Sequence, residues 1–381
     1  MIKLLCIVGT RPNFMKIAPI INQMEKYNSV HSPQEIFEYL LVHTGQHYDD
    51  NMSDHFFKDL QMPPPDIHLG IGSGTHSEQT AKIMIKFEKV CFQENPDLVI
   101  VVGDVNSTLA CSIVAAKLLI PVAHIEAGLR SFDRRMPEEV NRIVTDSLSE
   151  YLFTTCRDAN ENLKIEGVLQ NKIYFVGNVM IDTLLKFKEI ANSKVKRFNK
   201  LKALNYGLLT LHRPSNVDNK KNCHQIFEAL TEISKKVPII FPAHPRTQKM
   251  IDEFGFSHFF QKKLPFNLAQ MRGIYIIPPL SYLEFIYLMG SAKLILTDSG
   301  GIQEETTVFG IPCLTLRENT ERPITIKEGT NTLAGANKEK IIKESFNILN
   351  GKGKTGKIPE LWDGKASQRI MNILLEGFSK N

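Results

Sequence analysis

Lys293-Leu294-Ile295-Leu296-Thr297-Asp298-Ser299-Gly300-Gly301-Ile302-Gln303-Glu304-Glu305 is the stretch that decides the fold class. Leu294, Ile295 and Leu296 are apolar on successive residues, without the alternation of a half-solvated strand. The run therefore reads as a strand buried on both faces, as in a parallel sheet covered by helices. Small residues follow at once. Ser299, Gly300 and Gly301 free backbone N–H groups at the start of a helix, where unpaired donors and the helix dipole favour an anion such as phosphate. Glu304 or Glu305, one turn further on, can reach ribose hydroxyls. A plain strand-to-helix turn does not need Ser, Gly, Gly and an acid together.

The same grammar recurs along the chain. Runs at Asp97 to Gly103, Pro121 to Ile125, Ile173 to Gly177, Gly207 to Leu211, Pro238 to Phe241, Ile274 to Ile277 and Pro312 to Leu316 each end in a polar or Gly-containing loop and lead into a helix-like segment. The class is α/β with parallel sheets. At 381 residues the chain exceeds the roughly 250–300 residues that one hydrophobic core covers, so two domains are expected. The Lys- and Asn-rich segment from Asn192 to Leu204 is read as their boundary. This gives an N-terminal domain over 1–185, a C-terminal domain over 205–360 and a closing segment, 361–381, with an amphipathic helix from Ser367 to Phe378. In open α/β sheets ligands sit outside the carboxyl ends of the strands, which is where these polar loops fall.

Composition narrows the function. Hydrophobic residues make up 43% and charged residues 23%, ordinary for a folded globular chain. The formal charge of +5 is spread out, with no basic stripe interleaved with aromatics, which argues against nucleic acid. No apolar stretch approaches the roughly 18–20 residues that cross a bilayer, and the start, Met1 to Gly9, reads as a first strand and not a signal peptide. Six scattered cysteines without a C-x-x-C pair suit buried reduced thiols. A cytoplasmic enzyme is expected.

A second polar loop, His124-Ile125-Glu126-Ala127-Gly128-Leu129-Arg130, is trailed by Pro137-Glu138-Glu139-Val140-Asn141-Arg142. Glu126 follows an apolar run and has Arg130 nearby, so a carboxylate there needs a partner or a task. Glu138 and Arg142 stand at i, i+4 on one helical face, although a first-turn glutamate also serves the helix dipole. Asp104 ends another strand. Its simplest role is capping the next helix. Two carboxyl groups in neighbouring loops are nevertheless what removal and return of a proton on opposite sides of a carbon requires. Arg11 and Lys16, after the first strand, offer a fork and a point charge to a diphosphate, or are surface cations of a solvated turn. His212 and His244 follow strands in the second half. They lack metal-site spacing and serve equally as loop histidines bonding backbone.

The residues just quoted, with His43-Thr44-Gly45-Gln46-His47, Arg322-Pro323 and Glu328-Gly329-Thr330-Asn331, resemble the non-hydrolysing UDP-N-acetylglucosamine 2-epimerase family over nearly the whole chain. The resemblance implies two Rossmann-like domains of the glycosyltransferase-B type with a UDP-sugar in the interdomain cleft, a homodimer, and no cofactor or metal. It implies that Asp104, Glu126 and Glu138 serve the proton steps and that His212 lies near the diphosphate. Arg11, Lys16 and Arg142 would surround phosphates and sugar, Ser299, Gly300 and Gly301 would form the phosphate turn, and Glu305 would be the ribose acid. Residues matching Gln46, His47 and His244 bind an activating second UDP-sugar in some relatives. Two departures put that dependence in question: His212-Arg213-Pro214-Ser215-Asn216 stands where many members have His-Arg-Arg-Glu-Asn, and Gly72 to Gln79 replaces an arginine-containing segment. The glycine-rich version also resembles relatives acting on UDP-2,3-diacetamido-2,3-dideoxy-glucuronate. A UDP-sugar glycosyltransferase on the same fold is the alternative from another class.

Overall fold

The computed structural model describes residues 2–32, 36–46, 62–202, 205–263 and 271–379. The chain divides into two compact units, Met1–Thr183 with Glu360–Asn381, and Leu184–Pro359.

The first unit holds a parallel sheet of β1 (Ile2–Val8), β2 (Phe37–His43), β3 (Ile67–His68), β4 (Leu98–Val102), β5 (Val122–Ala127), β6 (Tyr151–Thr154) and β7 (Ile173–Phe175). Their order is β3-β2-β1-β4-β5-β6-β7. This is the doubly wound Rossmann arrangement, whose direction of winding reverses between β1 and β4. Every residue of β4 and β5 is buried, which explains why they carry continuous apolar runs with no solvent face to alternate toward. Val99, Val101 and Leu5 pack with Ile83, Phe87, Ala110 and Val114 of the helices His76–Glu94 and Asn106–Lys117.

The closing helix, Ala366–Ser379, belongs to this unit and lies against the helix Arg11–Asn28. Asp182 caps its first turn, accepting from the Ala366 N–H at 3.1 Å and from the Ser367 N–H at 2.7 Å.

The second unit repeats the plan with β8 (Gly207–Thr210), β9 (Ile239–Pro242), β10 (Phe260–Gln261), β11 (Ile274–Ile277), β12 (Leu294–Thr297), β13 (Cys313–Thr315) and β14 (Asn331–Leu333), again parallel. The order is β10-β11-β9-β8-β12-β13-β14, so the winding reverses between β8 and β12. The stretch from Lys293 to Glu305 is thus a central strand and the start of the helix that follows it, Gly300–Phe309.

Candidate active site

In each unit most candidate residues follow the carboxyl ends of strands at or beside the reversal, β1, β4 and β5 in the first and β8 and β12 in the second. That is where an open α/β sheet leaves a crevice for a ligand.

In the first unit the loops after β1, β4 and β5 are locked together. The Asn13 side-chain oxygen accepts from the N–H groups of Gly9 at 3.1 Å and Thr10 at 3.0 Å, while its amide donates to the Val102 carbonyl at 3.0 Å. This seats the first turn of the helix Arg11–Asn28 and brings the buried Lys16 ammonium onto the Glu126 carboxylate. Gly103 has a φ of +69°, and a Cβ there would meet the Lys16 Nζ at 2.8 Å; glycine is what lets the β4 loop close against this pair.

Glu126 occupies an unusual backbone position. It has a φ of +78°, and the pairing of β5 with β6 skips it, matching Ile125 to Phe153 and Ala127 to Thr154. A bulge with a left-handed residue other than glycine costs of order 1–3 kcal/mol and re-aims a side chain, a combination found at functional sites.

Arg130, the cation near Glu126 in sequence, is not the one that meets it. Arg130 turns instead to Asp146, at 2.7 Å, and to Glu166, whose two oxygens it takes at 2.7 and 2.6 Å. Asp146 also accepts from His124 Nδ1 at 2.6 Å and from the Gly128 N–H at 3.0 Å, while His124 Nε2 reaches the Gly103 carbonyl at 2.8 Å. Burial alone would raise the Asp146 carboxyl, but His124 and Arg130 hold it below the usual carboxylate range. His124 and Asp146 thereby fix the two strand ends that carry Gly103 and Glu126.

Asp104 does not cap the following helix, whose N-cap is Val105. Its carboxylate meets the buried guanidinium of Arg142. The buried acid beside Arg142 is Glu139, at 2.5 Å, while Glu138 stands half-buried in the first turn of the helix Pro137–Leu148. Glu139 also accepts the N–H groups of Ser131 at 2.9 Å and Phe132 at 2.8 Å. Burial would raise Glu139; the Ser131 N–H and Arg142 outweigh it and lower it. Arg11 is exposed at the start of its helix.

In the second unit Asp298, fully buried at the end of β12, organises the loop after β8. It accepts from the backbone N–H of His212 at 3.1 Å, the N–H of Arg213 at 2.9 Å and the Asn216 amide at 3.2 Å, and lies 3.0 Å from His212 Nδ1. Burial opposes its charge, but His212 and these donors lower the Asp298 carboxyl. His212 is therefore held by a carboxylate, not by backbone carbonyls, and half of it stays exposed.

Beneath the Ser299-Gly300 turn lies a buried ionic cluster. Glu321 takes Arg317 at 2.7 Å and Arg322 at 2.5 Å, with Arg213 at 3.9 Å, and Arg322 also meets Glu304 at 2.9 Å. Burial pushes against charge on Glu321, yet Arg322 and Arg317 hold it far below the usual range. Three guanidinium groups and two carboxylates meet in this cluster. Glu305, proposed for ribose, is buried and accepts from the Tyr282 hydroxyl at 2.9 Å.

Of the residues implied to be regulatory, Gln46 is buried, its side-chain oxygen accepting from Ser107 Oγ at 2.9 Å. His244 Nδ1 accepts the Arg246 N–H at 3.3 Å and so caps the helix Pro245–Glu253. His47 lies outside the described residues. Burial, with His68 beside it, lowers His43 to about 4, so this histidine is neutral at neutral pH.

Among the described residues no group of three or more His, Cys, Asp or Glu is placed to hold a metal ion, and no helix is long and apolar enough to cross a membrane. The residues that sequence reasoning missed are Glu139, Asp146, Asp298 and Glu321. Asp298 sat inside the opening stretch, and the i, i+4 spacing of Arg142 and Asp146 marked a helix face rich in charge.

Two parallel-sheet units with polar residues massed at their switch points define an α/β architecture of the glycosyltransferase-B-like class. The sequence pattern of UDP-N-acetylglucosamine 2-epimerases matches residues 31–375. A UDP-N-acetylglucosamine 2-epimerase of Methanocaldococcus jannaschii is 47% identical over 98% of this chain and 99% of its own. The crystal structure of the M. jannaschii UDP-GlcNAc 2-epimerase in complex with UDP-GlcNAc and UDP superposes with a TM-score of 0.86, covering 99% of this chain and 100% of that one. A UDP-2,3-diacetamido-2,3-dideoxy-D-glucuronate 2-epimerase of Pseudomonas aeruginosa is 40% identical over 98% of this chain and 99% of its own. The chain belongs to the UDP-N-acetylglucosamine 2-epimerase family, a family of isomerases.

Proposed function

We propose that this chain interconverts UDP-N-acetylglucosamine and UDP-N-acetylmannosamine at C2 by anti elimination of UDP and its re-addition. A carboxylate takes the C2 proton, the C2–H electrons form the C1=C2 bond, and the C1–O bond breaks with its electrons going to UDP. The 2-acetamidoglucal then receives a proton at C2 on the other face, and UDP returns to C1. Both proton transfers are general acid–base steps, which Asp104, Glu126 and Glu138 supply. UDP departs as an anion, which the helix start at Ser299, Gly300 and Gly301, His212 on Asp298 and the guanidinium groups beneath the turn stabilise. Arg11, Lys16 and Arg142 add positive charge on the side of the proton steps, Lys16 through Glu126 and Arg142 through Asp104. Glu305 takes the ribose, positioned by Tyr282.

The observation that carries this reading is Glu126: a buried carboxylate on a left-handed bulge of β5, beside the strand that borders the reversal, facing a buried lysine. The M. jannaschii structure with UDP-GlcNAc and UDP supports the substrate. Incubation in deuterated buffer tests it, through loss of the C2 proton signal. The P. aeruginosa relative favours UDP-2,3-diacetamido-2,3-dideoxy-glucuronate as the second substrate to assay.

We propose that the homodimer implied by the family resemblance forms across an open groove of about 530 Å³ lined in part by Ala81, Met84, Leu109, Pro137 and Val140, the last 44% exposed. Sedimentation equilibrium is expected to give twice the 43.2 kDa chain mass, reduced to one chain by Met84→Glu. A monomer at all concentrations would contradict the assignment.

A further inference from the structure

A line of buried amides and hydroxyls crosses the first unit and ends on the backbone of Asp104. Thr44 Oγ1 and Ser107 Oγ are 2.7 Å apart, and Ser107 donates to the Gln46 side chain through both its hydroxyl, at 2.9 Å, and its N–H, at 3.2 Å. Gln79 Nε2 donates to the carbonyls of Gly72 at 3.0 Å and Gln46 at 3.4 Å, and its oxygen accepts from Asn106 Nδ2 at 2.9 Å. Asn106 also approaches His76 Nδ1 at 3.1 Å. Asn141 Nδ2 lies 3.4 Å from Asn106 Oδ1 and donates to the Asp104 carbonyl at 2.8 Å. Gln46, Gln79, Asn106 and Asn141 are all below 9% exposed.

Asp104 is therefore gripped twice from one helix. Asn141 takes its main-chain carbonyl, and the next residue, Arg142, takes its carboxylate. Asn106, two residues after Asp104, fixes the Asn141 amide and is itself fixed by Gln79. We propose that Asn141 and Asn106 are positioning residues for Asp104, setting where its carboxylate stands without touching substrate. This rests on the epimerase reading above. Buried amides of this kind lose more than one contact when a partner goes, because the remaining donor or acceptor is left unsatisfied in a low-dielectric interior. A shift of a reacting group by about 1 Å is enough to lower a rate by about 100-fold.

The test compares wild type, Asn141→Leu and Asn106→Ser with UDP-N-acetylglucosamine. Both variants are expected to lower kcat at least about 20-fold per folded molecule, with KM and the Kd for UDP within about threefold of wild type. The pH profile of kcat should be displaced, since the contact of Asp104 with Arg142 changes. Asn106→Ser, which keeps a hydroxyl in the network, also serves should Asn141→Leu fail to fold. A lower melting temperature with kcat and its pH profile unchanged would make the network purely structural and overturn the proposal. Wild type failing to turn over either UDP-sugar would instead sink the epimerase reading, and this inference with it.

Discussion

Glu126→Gln is expected to abolish hydrogen exchange at C2, lowering the rate by at least about 100-fold, while the affinity for UDP stays within about threefold. The substitution keeps the shape of the side chain and removes the basic oxygen, and general-base contributions run to about 10²–10⁴ in rate. UDP affinity should hold because the diphosphate is assigned chiefly to the Ser299-Gly300-Gly301 turn and His212, whereas Glu126 is assigned to the proton step. Stability is expected to fall as well: Lys16 would keep its charge in a buried position without its carboxylate, and breaking such a pair costs about 3–5 kcal/mol. Urea unfolding and isothermal titration with UDP, read beside the exchange rate, separate the two effects. Surviving turnover would leave Glu126 as no more than half of a structural ion pair.

Gly300→Val should give the opposite pattern, with UDP binding weakened at least 10-fold, or about 1.4 kcal/mol. A Cβ at this position would stand 2.5 Å from Arg322 Nη1 and 2.8 Å from Glu321 Oε1. Side-chain ends normally move aside at little cost. These two do not have that freedom, because they bond each other and are tied further to Arg317 and Glu304 in a buried cluster. The added carbons would displace the arginine and also obstruct close approach of a phosphate to the helix start. Titration with UDP checks this, with circular dichroism as the control for folding; unchanged affinity would remove the Ser299-Gly300-Gly301 turn from the diphosphate site.

Much of the fold was legible because parallel strands buried on both faces leave continuous apolar runs, as at Val99 to Val101 and Leu294 to Leu296. Strands outside those runs escaped notice, among them β2 (Phe37–His43), where Glu38 and a partly exposed middle interrupt the apolar run, and β6 (Tyr151–Thr154). β3 and β10 have two residues each, too few to show any period, and β14 is Asn331-Thr332-Leu333. In the site, sequence pointed to Glu126 as a carboxylate needing a partner or a task but did not say which. Arg130 is four residues away along the chain, yet a left-handed bulge turns Glu126 toward Lys16, 110 positions distant. Asp104 looked like a cap since acids after strands usually are; Arg142, brought over by the helix Pro137–Leu148, claims it instead. Asp298 was overlooked for a related reason. Its role rests on receiving donors from a loop 86 residues earlier, which neighbouring residues do not reveal.

Proton NMR of the wild-type protein with UDP-N-acetylglucosamine in deuterated buffer tests the central claim most directly. The C2 proton signal is expected to disappear while the manno epimer grows in carrying deuterium at C2 and free UDP does not accumulate. UDP accumulating without deuterium at C2, or no exchange with either candidate UDP-sugar, would contradict that claim.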